Sequence, residues 1–315
     1  MSGLRRLLGR IPGVREAWRT VYGAWRRIVD PPTPTGYDDR PDRQTRRLLR
    51  RLRFANRFSR RSIVDPDSPV AVCTTTYGPR LRTVHLAIES VARGDLRPRR
   101  HVLYLDDPEA FRRLTPQLRR LQRRGLEIVE VPHGYKVHTK HWFYVNSTDH
   151  HEVPLATSED DILFPPHWLA ELVATLEKHP GDLATPRAHK VGFDGDRVAP
   201  YASWQPVRDD RPSFRNFGTS VSGQIYPPAF LDEVREAGET FLTVAPNNDD
   251  LWLHHVAVLN GRRVVQTRPQ SQHFPFVPGT QSGGLYFTNI VGGGNDVQIA
   301  ATYTPESLAR MRSDT

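Results

Sequence analysis

The feature that most constrains this chain is an alternation of short apolar runs with helical stretches, which begins at Pro69 and repeats along the body. Pro69-Val70-Ala71-Val72-Cys73-Thr74 reads as a buried strand, followed by a turn at Gly78-Pro79 and a helical stretch to Val91. His101-Val102-Leu103-Tyr104-Leu105 and a helix through Arg124 make a second such step, and residues 126–131 supply a third strand. Alternation of this kind predicts an α/β fold, a mainly parallel sheet flanked by helices, because every parallel crossover must return over a face of the sheet. Ligands of such sheets bind at the carboxyl ends of the strands. The next strand, 153–157, runs into Ser158-Glu159-Asp160-Asp161 before Pro165-Pro166 opens a helix over 167–178, which sets three carboxylates at that edge.

Charge divides the chain unevenly. Residues 1–60 hold 16 Arg against five acids, a balance of +11 within a total of +9, so the remaining 255 residues carry −2. Leu4, Leu8, Ile11, Val14, Trp18, Val21, Trp25 and Ile28 recur at helical spacing with Arg between them, Pro31 to Gly36 reads as an extended linker, and a second basic helix is expected over 42–58. The chain is therefore expected to divide into a basic amphipathic helical extension, 1–60, and an α/β domain, 61–315. Tryptophans among arginines suit an anionic membrane surface, where apolar burial and cationic attraction act together. A nucleic-acid-binding protein that uses this Arg-rich segment is the alternative, and the charge of the body speaks against it. Cys73 is the single cysteine, which leaves no intramolecular disulfide or cysteine-rich zinc site. No run approaches the length of a membrane span, so the expected location is the cytoplasm, at the inner face of the plasma membrane.

Carboxylates at a ligand edge suit a nucleoside diphosphate, whose charge a divalent cation bridges to protein oxygens. Alternation along the strand sends Glu159 and Asp161 to the same side. Taken alone, the triplet also reads as an acidic cluster before a helix N-terminus. A second acidic pair stands at Asn248-Asp249-Asp250-Leu251-Trp252-Leu253, where one carboxylate can take the proton of an attacking hydroxyl and where any of the first three residues can cap the helix that runs to 260. Lysine is scarce, four residues against 40 Arg, and two of the four, Lys136 and Lys140, lie together after the third strand. A compact ammonium suits a phosphate oxygen. His138 and His141 lack further ligands at zinc spacing.

Four segments in this order resemble bacterial GT-A glycosyltransferases related to family 2. Glu159-Asp160-Asp161-Ile162-Leu163-Phe164-Pro165-Pro166-His167-Trp168-Leu169 is similar to that family's acidic triplet, with Glu in place of the first Asp. Gly218-Thr219-Ser220-Val221-Ser222-Gly223-Gln224-Ile225-Tyr226-Pro227-Pro228 resembles its acceptor-side loop, Asp249-Asp250-Leu251-Trp252-Leu253 the opening of its acceptor-site helix, and Gly134 to Tyr144 its donor-diphosphate segment. The resemblance spans about residues 69–300. It implies a GT-A, Rossmann-like fold, an inverting transfer from a nucleotide-sugar donor, with a UDP-sugar favoured, to a glycan or glycolipid hydroxyl, and Mn²⁺ or Mg²⁺ as cofactor. It further implies Asp250 as base with Asp249 beside it, and Thr74, Tyr77, Lys140 and Asp160 on the donor. Gly223, Tyr226 and Trp252 fall on the acceptor side, Asp161 and His273 on the metal, and Asn289 with Asn295-Asp296 in a lid-like element. A sugar nucleotidylyltransferase would show a Gly-rich basic loop after the first strand, where Thr74-Thr75-Thr76-Tyr77-Gly78-Pro79 stands instead.

Overall fold

The β-branched and apolar runs form short, fully covered strands, and their pairing gives the sheet its order. The computed structural model describes residues 41–281 and 293–314. By contact, residues 278–281, which include a turn at Pro278-Gly279, belong to a small unit, and the other described residues belong to a large one that holds the sheet and the site. Strands β1 (Ala71–Thr75), β2 (His101–Leu105), β3 (Leu126–Glu130), β4 (Leu155–Thr157) and β5 (Leu183–Thr185) are followed by β6 (Ala188–Lys190), the pair β7 (Phe193–Asp194) and β8 (Arg197–Val198), β9 (Gln205–Pro206), β10 (Asn216–Gly218), β11 (Gln224–Tyr226) and β12 (Val264–Gln266). The main sheet has the order β12-β5-β11-β4-β1-β2-β3. All its neighbours run parallel except β11, which is antiparallel to both β4 and β5. A small antiparallel sheet, β10-β6-β9, stands beside it. This is the mainly parallel, helix-flanked α/β architecture expected from the sequence.

Helices Val84–Ala92 and Trp168–Lys178 follow β1 and β4, and Asp249–Leu259 precedes β12. The helix expected between β2 and β3 is two short ones, Pro108–Arg112 and Pro116–Gln122, each begun by a proline after an Asp or Thr cap. Trp168, Phe217, Tyr226, Phe230 and Phe241 are the largest fully buried side chains and fill the layers on either side of the sheet.

Helix Arg43–Phe58 alters the expected division of the chain. Its cap is Asp42, whose carboxylate accepts from the Thr45 amide at 2.6 Å. Thr45, Leu49, Leu52 and Asn56, at spacings of four, three and four, make one buried stripe. Leu49 and Leu52 pack with Leu86, Leu163 and Val277, while Asn56 donates to Glu89 at 3.1 Å and accepts from Arg120 at 3.0 Å. Glu89 is in turn paired with Arg124 at 2.5 Å. A boundary at residue 60 therefore cuts through this core, and helix 43–58 is part of the α/β unit. The first 40 residues, with Trp18 and Trp25, and Asn289 lie outside the described residues.

Candidate active site

Two groups of carboxylates meet at the carboxyl edge of the sheet, and each converges on one cation. The first group follows β4. Thr76, just past β1, donates to Asp160 Oδ2 at 2.6 Å, and Arg80, in the turn of helix Gly78–Arg82, reaches Asp160 Oδ1 at 2.9 Å and Asp161 Oδ2 at 3.0 Å. Asp160 and Asp161 are both buried. Burial raises the pKa of Asp160, against the opposing pull of Arg80 and the Thr76 hydroxyl. Burial lowers that of Arg80, but Asp161 and Asp160 outweigh it and keep the guanidinium charged. The strip is pinned from behind, since the Asp161 carbonyl accepts from Val277 N at 2.6 Å and Leu163 N donates to the Pro275 carbonyl at 2.8 Å.

The second group surrounds Lys140, in helix Thr139–Val145. Its buried ammonium contacts Glu159, pairs with Asp249 Oδ2 at 2.9 Å and donates to Ser220 Oγ at 3.1 Å. Burial lowers its pKa, yet Asp249, Glu159 and Asp250 together hold it well above the ordinary lysine value. Asp250 accepts from Ser220 N at 3.0 Å through both oxygens and from Gln224 Nε2 at 2.8 Å. The residue as a whole is half-buried and protein surrounds its carboxyl, and burial and then Asp249 push its pKa up to about 8. The helix cap is Asn248, which accepts from Leu251 N at 3.0 Å, so neither aspartate is spent on capping. Asn248 also donates to Asn295 Oδ1 at 2.9 Å, which brings the start of helix Gly294–Thr302 against the acidic one.

The expected site residues do not all reach this edge. Asp249, Asp250, Lys140, Asp160 and Asp161 do. Tyr77 also stands at the edge, 53% exposed, with the Arg80 guanidinium 5.6 Å from its ring centroid. Thr74 is fully buried within β1 and bonds to His101 at 3.1 Å and Ser158 at 2.6 Å; Thr76, one residue past the end of the strand, reaches Asp160 in its place. Tyr226 and Trp252 are core residues, stacked near Phe230 and near Phe241. Gly223 has φ +82°, and a Cβ there would lie 2.5 Å from Trp168 Cζ2, so the glycine makes room for that indole, which donates to the Ser222 carbonyl at 2.9 Å. His273 does not join Asp160 and Asp161, because among the described residues no group of three His, Cys, Asp or Glu side chains is arranged to hold a metal ion. It stands within electrostatic reach of Arg187 and His189. His138 and His141 are 3.2 Å apart and buried against Phe241, and burial keeps both neutral.

Sequence reasoning did not assign Thr76, Arg80, Ser220 or Gln224. Thr76 and Arg80 lie within eight residues of the end of a buried strand, which is the available signal; Ser220 and Gln224 are fixed by the pairing of β11.

No protein-family model matches the chain, and no curated protein matches it by sequence. Among solved structures, S. aureus TarS 1-349 is 14% identical over 77% of this chain and 70% of its own, with a TM-score of 0.47. GalNAc-T7, crystallised with UDP, GalNAc and Mn²⁺, is 12% identical over 64% of this chain and 42% of its own, with a TM-score of 0.46. S. aureus TarS in a longer form is 15% identical over 65% of this chain and 36% of its own, with a TM-score of 0.45. Similarity at this level assigns no activity to the chain, and the fold stands on its own strand order.

Proposed function

We propose that this chain is a glycosyltransferase that moves a sugar from a nucleotide-diphosphate donor, a UDP-sugar by preference, to a hydroxyl of a glycan or glycolipid, with inversion at the anomeric carbon. The observation that carries the reading is Asp250: a carboxyl on a half-buried residue at the sheet edge, held in place by Ser220 and Gln224, with its pKa pushed up to about 8, and free of the capping duty that Asn248 performs. A base works best when its pKa lies near the working pH. In the transfer, the acceptor oxygen attacks the anomeric carbon, its proton passes to Asp250, and the bond to the diphosphate breaks with the electron pair leaving on the diphosphate oxygen. Lys140 and Asp249 hold the local charge in balance, and Ser220 fixes the carboxylate through its backbone amide.

On the donor side, Tyr77 offers an aromatic face to a nucleobase, and Arg80 offers a guanidinium to the diphosphate. Two carboxylates that converge on one cationic group are also the oxygen donors a hard divalent cation prefers, so Asp160 and Asp161 are the residues that would hold Mg²⁺ or Mn²⁺. Such an ion would screen the departing diphosphate. A panel of nucleotide sugars with Mn²⁺ or Mg²⁺, scored by thermal shift and by slow hydrolysis to free sugar, tests the proposal. A shift and hydrolysis with one nucleotide, abolished in Asp250→Asn for hydrolysis alone, is the expected result; no shift and no hydrolysis with any donor refutes it.

A further inference from the structure

Helix Arg43–Phe58 turns one stripe to the core and leaves the opposite face uncovered. At about 100° per residue, the buried stripe of Thr45, Leu49, Leu52 and Asn56 has Phe54, Phe58 and Arg47 at its opposite pole, with Arg43, Arg50, Arg51 and Arg57 on either side. Phe54 is 66% exposed and Phe58 60% exposed. Their rings meet at 4.8 Å, and the Arg57 guanidinium lies 5.6 Å from the Phe58 ring. Nine arginines and no acid occupy residues 43–64, and every one of the nine is exposed. Helix Pro116–Gln122, which packs alongside, adds exposed Arg119, and exposed Arg123 follows it. Folding supplies no reason for this face, because Leu49 and Leu52 already anchor the helix and polar side chains at positions 54 and 58 would cost the fold nothing.

We propose that the outward face of helix 43–58 is a docking surface for an anionic phospholipid bilayer. A helix of this length lies flat on a membrane, its two adjacent rings entering the boundary of the acyl chains while the arginines on both sides reach lipid phosphates. Charge complementarity selects the partner, since each basic side chain near an anionic leaflet adds attraction that salt weakens. A duplex would engage the arginines and leave the paired rings without a role, and a single strand, whose bases could stack on them, is the alternative that the test below separates. The surface lies in the folded unit that carries the carboxylates, so docking holds the candidate active site at the bilayer whatever reaction it performs.

The test uses the full chain and sucrose-loaded vesicles of phosphatidylcholine with or without phosphatidylglycerol. Phe54→Ser/Phe58→Ser is expected to weaken binding to the anionic vesicles about tenfold, equivalent to about 1.4 kcal/mol. Arg47→Gln/Arg50→Gln/Arg51→Gln is expected to weaken it by about 100-fold and to flatten its salt dependence. Melting temperatures should match the unaltered chain in both cases, because these side chains point to solvent. Unchanged vesicle binding in the Phe variant, or equal binding to vesicles without phosphatidylglycerol, overturns the proposal. So does retention of single-stranded RNA in a gel shift that the Phe variant loses while vesicles are ignored.

Discussion

Replacing Asp250 by Asn removes a proton acceptor while preserving its size, and the two consequences can be separated. If Asp250 is the base, transfer falls by about 10²- to 10⁴-fold, a barrier increase of about 3–5 kcal/mol. Donor affinity should persist, since Tyr77, Arg80, Asp160 and Asp161 lie on the β1 and β4 side of the site. Stability should move in the opposite sense. The carboxyl has an ordinary value of 3.8 and is pushed up to about 8 in the fold, so between those values the native state holds a proton that the unfolded chain has released. Stability from this group is complete below about pH 4 and is lost as pH rises through about 8, with a slope of at most about 1.36 kcal/mol per pH unit. Asn cannot ionise, and the variant escapes that loss.

The assay is therefore paired: turnover and urea unfolding of both proteins from pH 5 to pH 9. The unaltered enzyme should gain kcat/KM with rising pH until a plateau above about pH 8, while its stability declines over the same range relative to Asp250→Asn. Turnover of the variant within a few-fold of the unaltered enzyme would refute the assignment of the base. Parallel stability curves would refute the raised pKa itself, whatever the turnover.

Arg80→Ala should tighten Mn²⁺ binding in the absence of nucleotide by about tenfold or more, because it removes a like charge about 3 Å from both carboxylates, and calorimetric titration with Mn²⁺ reads this directly. Lys140→Met leaves Asp249 buried without its cation and half-buried Glu159 unpaired, a loss of about 3–5 kcal/mol, chiefly from Asp249, that denaturant unfolding should register. Gly223→Ala forces a methyl onto Trp168 at positive φ, and a cost of about 2–4 kcal/mol with a shifted tryptophan emission is expected. Leu52→Ala should cost about 2–5 kcal/mol in the same unfolding assay, as befits a core helix and not an appended one.

What the sequence made legible was what local periodicity controls. The runs that became β1, β2 and β3 and the 153–157 run that holds β4 could be read as strands, and the acids after β4 could be placed at the edge before any pairing was known. Strand β5 has the same three residues, Leu-Ala-Thr, as β4, so local sequence does not set them apart, and it is pairing with β4 and β5 that makes β11 antiparallel and delivers Ser220 and Gln224 to Asp250. The point where a strand ends was equally hidden. Thr74 and Thr76 share a direction by alternation, and only the end of β1 at Thr75 leaves Thr76 at the edge and Thr74 enclosed. The aromatic residues next to the loop and the acidic helix, Tyr226 and Trp252, went to the core because the layer between sheet and helices needed their volume.

Charge links the two carboxylate groups. Among the described residues, Asp160 and Asp161 converge on Arg80, and Glu159, Asp249 and Asp250 surround Lys140, so negative charge is concentrated in a largely buried region. Excess negative charge in such surroundings is relieved by a bound proton, by a bound cation or by both. Asp250 is where the proton resides, since it lies farthest from a direct ion pair and takes its contacts from neutral donors, Ser220 and Gln224. Asp160 and Asp161 are where a cation gains most, since a guanidinium spreads one charge over a plane while a divalent ion concentrates two. On the proposed reading the base and the cation position fall on separate carboxylates, with the Lys140 ammonium paired to Glu159 and Asp249 next to them.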